Sequence, residues 1–186
     1  MLAYLFWHWP RPGTDPQVYE SRLARFQRAL ASATIAGFRE SAVYRLAGTP
    51  WLPPNTSGYE EWYLLDNSCA MDALNEAAVS ETCKPAHDEA VEFCAAGAGG
   101  LYRLRHGQPS LREMNFRQWL AKPRGVRYPE FDATLLPALA NFQTVLCRRQ
   151  MVLGPTPEFC LQSGAMLELP PGLVVCQVEA EPIWTR

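Results

Sequence analysis

The chain has 186 residues, of which 48% are apolar, and a formal net charge of −2. That length suits one large domain or two small ones around a real core. The charge balance excludes a disordered segment and the basic footprint of a nucleic-acid binder.

The first stretch, Leu2-Ala3-Tyr4-Leu5-Phe6-Trp7-His8-Trp9, is apolar and rich in aromatics, as a well-buried strand would be. It has no basic residues before it, and Pro10-Arg11-Pro12 cuts it off. It is therefore too short for a signal peptide or a membrane span, which predicts a cytosolic chain. The six cysteines (Cys69, Cys83, Cys94, Cys147, Cys160 and Cys176) form no Cys-x-x-Cys pair. In a reducing compartment they read as small buried apolar residues, not as a disulfide framework.

Asp15-Pro16 supplies an N-cap and a first-turn proline. Tyr19, Leu23, Phe26 and Leu30 then fall on one face of a helix, with Arg22, Arg25 and Arg28 on a solvated side. A second strand is expected over Phe38 to Leu46, closed by Gly48-Thr49-Pro50. The turn-rich loop Trp51 to Gly58 follows, and then a third strand over Tyr59 to Leu65. Asp66-Asn67-Ser68 starts a helix whose apolar face is Met71, Leu74 and Ala78. Another helical segment is expected from Ala86 to about Ala95, ended by Gly97 to Gly100, with a fourth strand over Leu101 to Arg105. The order over residues 1 to 107 is β-α-β-β-α-β, the split βαβ or ferredoxin-like unit.

The same plan returns, abbreviated, over residues 108 to 186. Phe116 to Leu120 is a strand, Pro123-Arg124-Gly125 a stop, and Pro129 to Ala140 a helix with Phe131, Leu135 and Leu139 on its apolar face. Thr144 to Leu153 is a long strand closed by Gly154-Pro155-Thr156-Pro157. Glu158-Phe159-Cys160-Leu161 echoes Glu61-Trp62-Tyr63-Leu64. Where a second helix should stand, only the proline-bound stretch Gly164 to Pro171 remains, before a last strand over Gly172 to Val178. An internal repeat explains both halves better than two unrelated domains would.

On this element order, the paired Pro-Arg-(Pro)-Gly stops and the paired third strands, the chain resembles the dimeric α+β-barrel superfamily in its form with two fused ferredoxin-like repeats. The resemblance implies an α+β fold in which two four-stranded sheets close into a barrel within one chain, with helices outside. Two chains could also associate as a homodimer through exposed strand edges. Members of the superfamily include cofactor-independent quinone-forming monooxygenases, haem-degrading enzymes, chlorite dismutase-like haem proteins and lactone isomerases. No residue set in this chain picks one branch, so whether it is an enzyme stays open and no cofactor is expected.

Comparing the copies sorts the strand faces. Trp62 and Leu64, matched with Phe159 and Leu161, are expected to face helices, and Glu61 and Tyr63 the barrel interior. The candidate site is then an interior pocket with an aromatic wall and the polar set His8, Tyr44, Glu61, Tyr63, Arg103, Arg148 and Gln150. Such a mixture orients a small, partly apolar ligand. Ordinary surface or strand-end positions are the alternative for each residue taken singly.

His8 could serve as a general base or an axial haem ligand, or simply be a hydrogen-bonded buried imidazole. His87 lies with Val91 and Cys94 on one side of a helical segment, four residues after Cys83, and reads as a packing residue. His106 reads as a loop residue. No spacing makes a metal motif, and there is no dinucleotide or phosphate loop and no nucleophile elbow. The leading expectation is a protein that binds a small aromatic or apolar molecule, with proton transfer or cofactor-free oxygenation as its chemistry. A non-catalytic interaction protein, its interior packed shut and its missing helix exposing sheet to a partner, is the rival. Haem binding through His8 or His87 is a third reading.

Overall fold

A computed structural model describes residues 1–47, 49–54, 56–152 and 156–185. Gly48, Asn55, Leu153, Gly154, Pro155 and Arg186 lie outside the described residues, and with them the turn stops expected at Gly48 and at Gly154-Pro155. In chain order the elements are β1 (Leu2–Pro10), α1 (Pro16–Ser32), β2 (Phe38–Leu46), β3 (Gly58–Leu65), α2 (Cys69–Ala78), α3 (Lys84–Phe93), β4 (Cys94–His106), β5 (Phe116–Leu120), α4 (Tyr128–Leu139), β6 (Thr144–Val152), β7 (Phe159–Ser163) and β8 (Val174–Thr185).

The local signals act as expected at the first helix. The Asp15 carboxylate accepts from the Gln17 backbone N–H at 2.8 Å and so caps α1. Its buried face is Tyr19, Leu23, Phe26 and Leu30, joined by one polar residue, Gln27. Arg22 and Arg25 lie outside and pair with Glu89 of α3.

Cys94 to Gly100 is strand, not the end of a helix. This stretch pairs with β1, His8 lying opposite Gly97 and Phe6 opposite Gly99. The reason is a close approach. A Cβ on Gly97 would meet the Phe6 ring at 2.5 Å, and one on Gly99 would meet the Tyr4 hydroxyl at 2.6 Å. The aromatic rings of β1 lie across the bare backbone of β4 and cover it, which offsets the low strand propensity of glycine. At the other end, β8 runs on to Thr185, well past the expected Val178, because Ala180 to Thr185 pair with β2.

The eight strands form a closed antiparallel barrel in the order β1-β3-β2-β8-β5-β7-β6-β4, with β4 returning to β1. Closure leaves no unpaired edge strand in the sheet. Strands from residues 2–106 form one contiguous arc and strands from residues 116–185 the other, joined at the β2–β8 and β4–β6 seams.

The barrel interior carries a packed aromatic core, and the residues of the expected interior pocket do not gather there. Trp7, Trp51, Tyr102 and Trp119 meet edge to face, with ring centroids 5.0–6.3 Å apart. Trp62 and Leu64 belong to this interior core, together with Tyr44 and Cys160. Phe159 and Leu161 instead pack on the α4 side. Matching Trp62 with Phe159 therefore pairs residues on opposite faces: in a strand, an offset of one position exchanges inside for outside.

Among the described residues the charged side chains buried in the barrel interior are one pair. Glu60 and Arg117 are fully buried, with Arg117 Nε 3.0 Å from Glu60 Oε1. The indoles of Trp7 (2.9 Å) and Trp62 (2.5 Å) donate to the same carboxylate. The Arg117 guanidinium lies 4.3 Å from the centroid of the Tyr44 ring.

Outside the barrel, α1, α2 and α3 cover the β1–β3 face, and α4 covers the opposite arc with Phe131, Leu135 and Leu139 packed on Leu146, Phe159 and Leu161. The short segment that stands in for a second helix in that half is pinned to the sheet: Gln118 Nε2 donates to Leu167 O at 2.8 Å, and Leu167 N donates back to Gln118 Oε1 at 3.1 Å. This segment covers the sheet beside Gln118. On β8 the outer positions Val175, Gln177, Glu179, Glu181 and Pro182 remain exposed, three of them polar.

Candidate functional site

The polar residues collect on the outer face of β1 and β3, beneath the helices. Strand alternation places Tyr4, Phe6 and His8 outward on β1, directly opposite Tyr63, Glu61 and Tyr59 on β3. The helices do not fill the space above them. A cavity of about 350 Å³ remains, at the small end of ligand-pocket sizes, which run from roughly 300 to 1,000 Å³. Its apolar walls come from Leu23, Phe26 and Leu30 of α1, Leu74 and Ala78 of α2, and Ala90 and Val91 of α3.

His8 and Glu61 form its polar end, both buried. His8 Nδ1 lies 2.7 Å from the Tyr19 hydroxyl. On the other side of the ring, His8 Nε2 lies 3.1 Å from Glu61 Oε1, but the approach is misaligned for a hydrogen bond and leaves Nε2 without a partner. Glu61 Oε2 takes the hydrogen bonds instead, from Gln27 Nε2 at 2.9 Å and from the Tyr63 hydroxyl. Tyr59 stacks on the His8 ring at 5.6 Å, and Phe6 stacks on its other neighbour position at 5.2 Å. The imidazole is held by a phenol at one nitrogen and by rings around it.

Burial raises the pKa of Tyr4 and Tyr63 above the ordinary phenol value, and the nearby Glu61 carboxylate raises both further. Tyr19 is raised well above it by burial, with Cys94 and Glu61 adding to the shift. Burial also raises the Cys94 thiol, with Glu61 adding and the Tyr19 hydrogen bond opposing. These groups are held protonated, so they can donate hydrogen bonds and do not supply anions.

The seven residues expected to share a site divide three ways. His8, Glu61 and Tyr63 do come together, but between sheet and helices and not inside the barrel. Tyr44 is in the barrel core, where its hydroxyl donates to Leu111 O. Arg103 and Gln150 are exposed, and Arg148, opposite Arg103 across the β4–β6 seam, lies over the Tyr128 ring at 4.5 Å. The reason is the inverted face assignment of β3 together with the outward turn of the seam residues.

Tyr19 and Gln27 are site residues that the sequence reading treated only as helix positions. A glutamine beside Phe26, on the apolar side of α1, was the available signal. His87 also reaches the cavity, its ring edge-on to Phe26 at 5.3 Å. Among the described residues no group of three or more His, Cys, Asp or Glu side chains is placed to hold a metal ion. All six cysteines are free thiols. No helix is long and apolar enough to cross a membrane among the described residues.

No protein-family model matches the sequence, and no curated protein matches it. Solved structures do share the fold. An anthrone oxidase-like protein superposes with a TM-score of 0.58 at 13% identity, covering 100% of this chain and 92% of its own. A candidate monooxygenase from Lactobacillus acidophilus NCFM gives 0.60 at 9% identity, with coverages of 99% and 95%. A candidate chlorite dismutase gives 0.52 at 8% identity, with coverages of 98% and 95%. At these identities the likeness is one of fold: the chain shares with these structures an α+β architecture built on a closed eight-stranded barrel.

Proposed function

We propose that this protein binds a small, largely apolar molecule with an aromatic or similarly flat body between α1–α3 and the β1–β3 face, and that His8 and Glu61 exchange protons with it. The observation that carries this reading is a buried imidazole and carboxylate, 3.1 Å apart, at the polar end of an otherwise apolar cavity. A histidine fixed by Tyr19 at one nitrogen and free at the other is suited to act as a general base. Two of the fold neighbours are named for oxidase or monooxygenase activity. That supports cofactor-free oxygenation, in which the carbanion left by proton abstraction from a ligand CH2 reacts with O2 to give a carbonyl and water, with isomerase-like proton transfer as the simpler chemistry; both rest on fold analogy. The same proposal takes residues 1–107 and 108–186 as two tandem ferredoxin-like repeats, the second abbreviated, in a cytosolic chain.

The rival reading, a non-catalytic interaction protein, draws on the packed barrel interior. Native mass spectrometry of freshly purified protein, with an absorbance spectrum of the same sample, separates the two. The expected result is a reproducible extra mass in the wild type that is lost in His8→Ala. Bare masses, with no binding from a panel of small aromatic compounds, would overturn the proposal, and a Soret band would replace it with haem binding. The same spectrum reads whether two chains associate.

A further inference from the structure

Resting on that binding reading, we propose that the ligand is an organic cation: a small amine whose ammonium group sits against Glu61 and whose apolar body lies along Tyr4 and Phe6. Glu60 and Glu61 are consecutive residues of β3 and point to opposite faces. The inward carboxylate has a buried arginine and two indole donors. The outward one has only neutral donors, Gln27 and Tyr63, and both bind Oε2.

Among the described residues no lysine or arginine lines the cavity. Oε1 receives no aligned hydrogen bond among those residues, and the adjacent His8 Nε2 is buried without a partner. The nearest group able to carry a positive charge, His8 Nε2 at 3.1 Å, is misaligned with Oε1, and a ligand ammonium there would give the buried carboxylate an aligned partner. Burial is the main reason that Tyr4, Tyr19, Tyr63 and the Cys94 thiol hold their protons, and the Glu61 carboxylate adds to each shift.

The surroundings select the kind of cation. A bare Ca²⁺ takes six to eight oxygen ligands, and this cavity offers one carboxylate and a few phenols among apolar walls. Aromatic faces are the surfaces that attract an organic ammonium through the ring quadrupole. The rings of Tyr4 and Phe6 stack at 6.5 Å and those of Tyr4 and Tyr63 at 5.9 Å, forming a continuous aromatic floor over the glycines of β4. A carboxylate or phosphate ligand would meet Glu61 with no cation to receive it.

The test uses three probes of similar size: phenethylamine, phenethyl alcohol and phenylacetate, titrated calorimetrically into the intact protein at pH 7. The amine should bind at least tenfold tighter than the alcohol, and phenylacetate should bind weakest. Glu61→Gln should bring the amine down to the affinity of the alcohol while leaving the alcohol within about twofold. An alcohol that binds as well as the amine would overturn the charge assignment and leave the binding reading standing. An amine preference that survives Glu61→Gln would also overturn it. If none of the three binds, the cavity reading falls, and this inference with it. The wild-type comparison needs no variant, so the test holds even if Glu61→Gln does not fold.

Discussion

Glu60 and Glu61 stand side by side on β3, and the two faces treat them in opposite ways. On the barrel side every hydrogen-bonding need of the carboxylate is met by Arg117, Trp7 and Trp62, and the space around it is filled with rings. On the helix side the carboxylate has fewer partners and borders empty space. The same contrast separates the two helix layers. Under α4 the contacts are mainly leucine and phenylalanine and the layer is filled, whereas under α1–α3 the matching layer is hollow, apolar on its walls and polar at one end. A closed barrel can thus be stabilised by one interior and one helix layer while the remaining layer is left for a ligand.

This contrast can be broken at several points. The largest effect is expected from Arg117→Leu, which strands the Glu60 charge in the barrel. A loss of about 3–5 kcal/mol in urea unfolding is expected. Adding Glu60→Leu should restore much of that loss, because it removes the stranded charge.

Next comes a pair of leucine truncations. Leu135→Ala, under α4, should cost about 3 kcal/mol, as full core truncations do. Leu23→Ala, on the cavity wall, should cost about 1–2 kcal/mol, because one side of that leucine already lacks packing partners. Equal losses at the two sites would show that the helix layers are packed alike.

A third test is alkaline. Cys147 and Cys160 are cross-strand partners inside the barrel, and burial pushes the Cys147 thiol from 9.0 up to about 12. Cys160 is raised as well, by burial first and then by the Glu60 charge. Above pH 9 the unfolded thiol loses its proton while the folded one keeps it, so stability falls as pH rises toward about 12. For Cys147 the loss by pH 10 is about 1.4 kcal/mol. Unfolding midpoints from pH 8 to 10 should fall in the wild type and fall less in Cys147→Ala.

The smallest effect has the opposite sign. Glu61→Gln removes a poorly compensated charge and should stabilise the apo protein by about 1 kcal/mol, read as a higher urea midpoint. A loss at this position as large as at Arg117 would mean that Glu61 is as fully satisfied as Glu60.

Much of the architecture was legible in the sequence. The capped first helix and the strands at Leu2, Phe38, Tyr59 and Phe116 follow from turn chemistry and apolar patterning, whereas the closed α+β barrel was an expectation carried by the family resemblance. The sidedness of β3 was not. Every residue from Gly58 to Leu65 is buried, so the strand carries no apolar–polar alternation to show which face is which. Comparison with Glu158 to Leu161 then chose the wrong phase. The glycine stretch of β4 was obscure for a related reason: its cover comes from Tyr4 and Phe6, some ninety residues away in sequence, and no local window contains them. His8, Glu61 and Tyr63 were found because polar groups in apolar strands stand out. Gln27 and Tyr19 were missed because a helix with one polar residue on its apolar face looks unremarkable.

The β2–β8 seam pairs Ala42 with Thr185, and the β4–β6 seam pairs Gly100 with Val152. During synthesis the arc of strands from residues 2–106 emerges first and can pair within itself, with the cavity and its helices already assembled. Its β2 edge stays open until β8 has left the ribosome, more than a hundred residues later in the sequence. Sequence separations of this kind slow folding and lengthen the exposure of an unpaired edge. The nascent half-barrel is therefore the stage most open to edge-to-edge association, and a destabilised β8 is expected to show itself as aggregation during expression before it shows itself as a lower melting temperature.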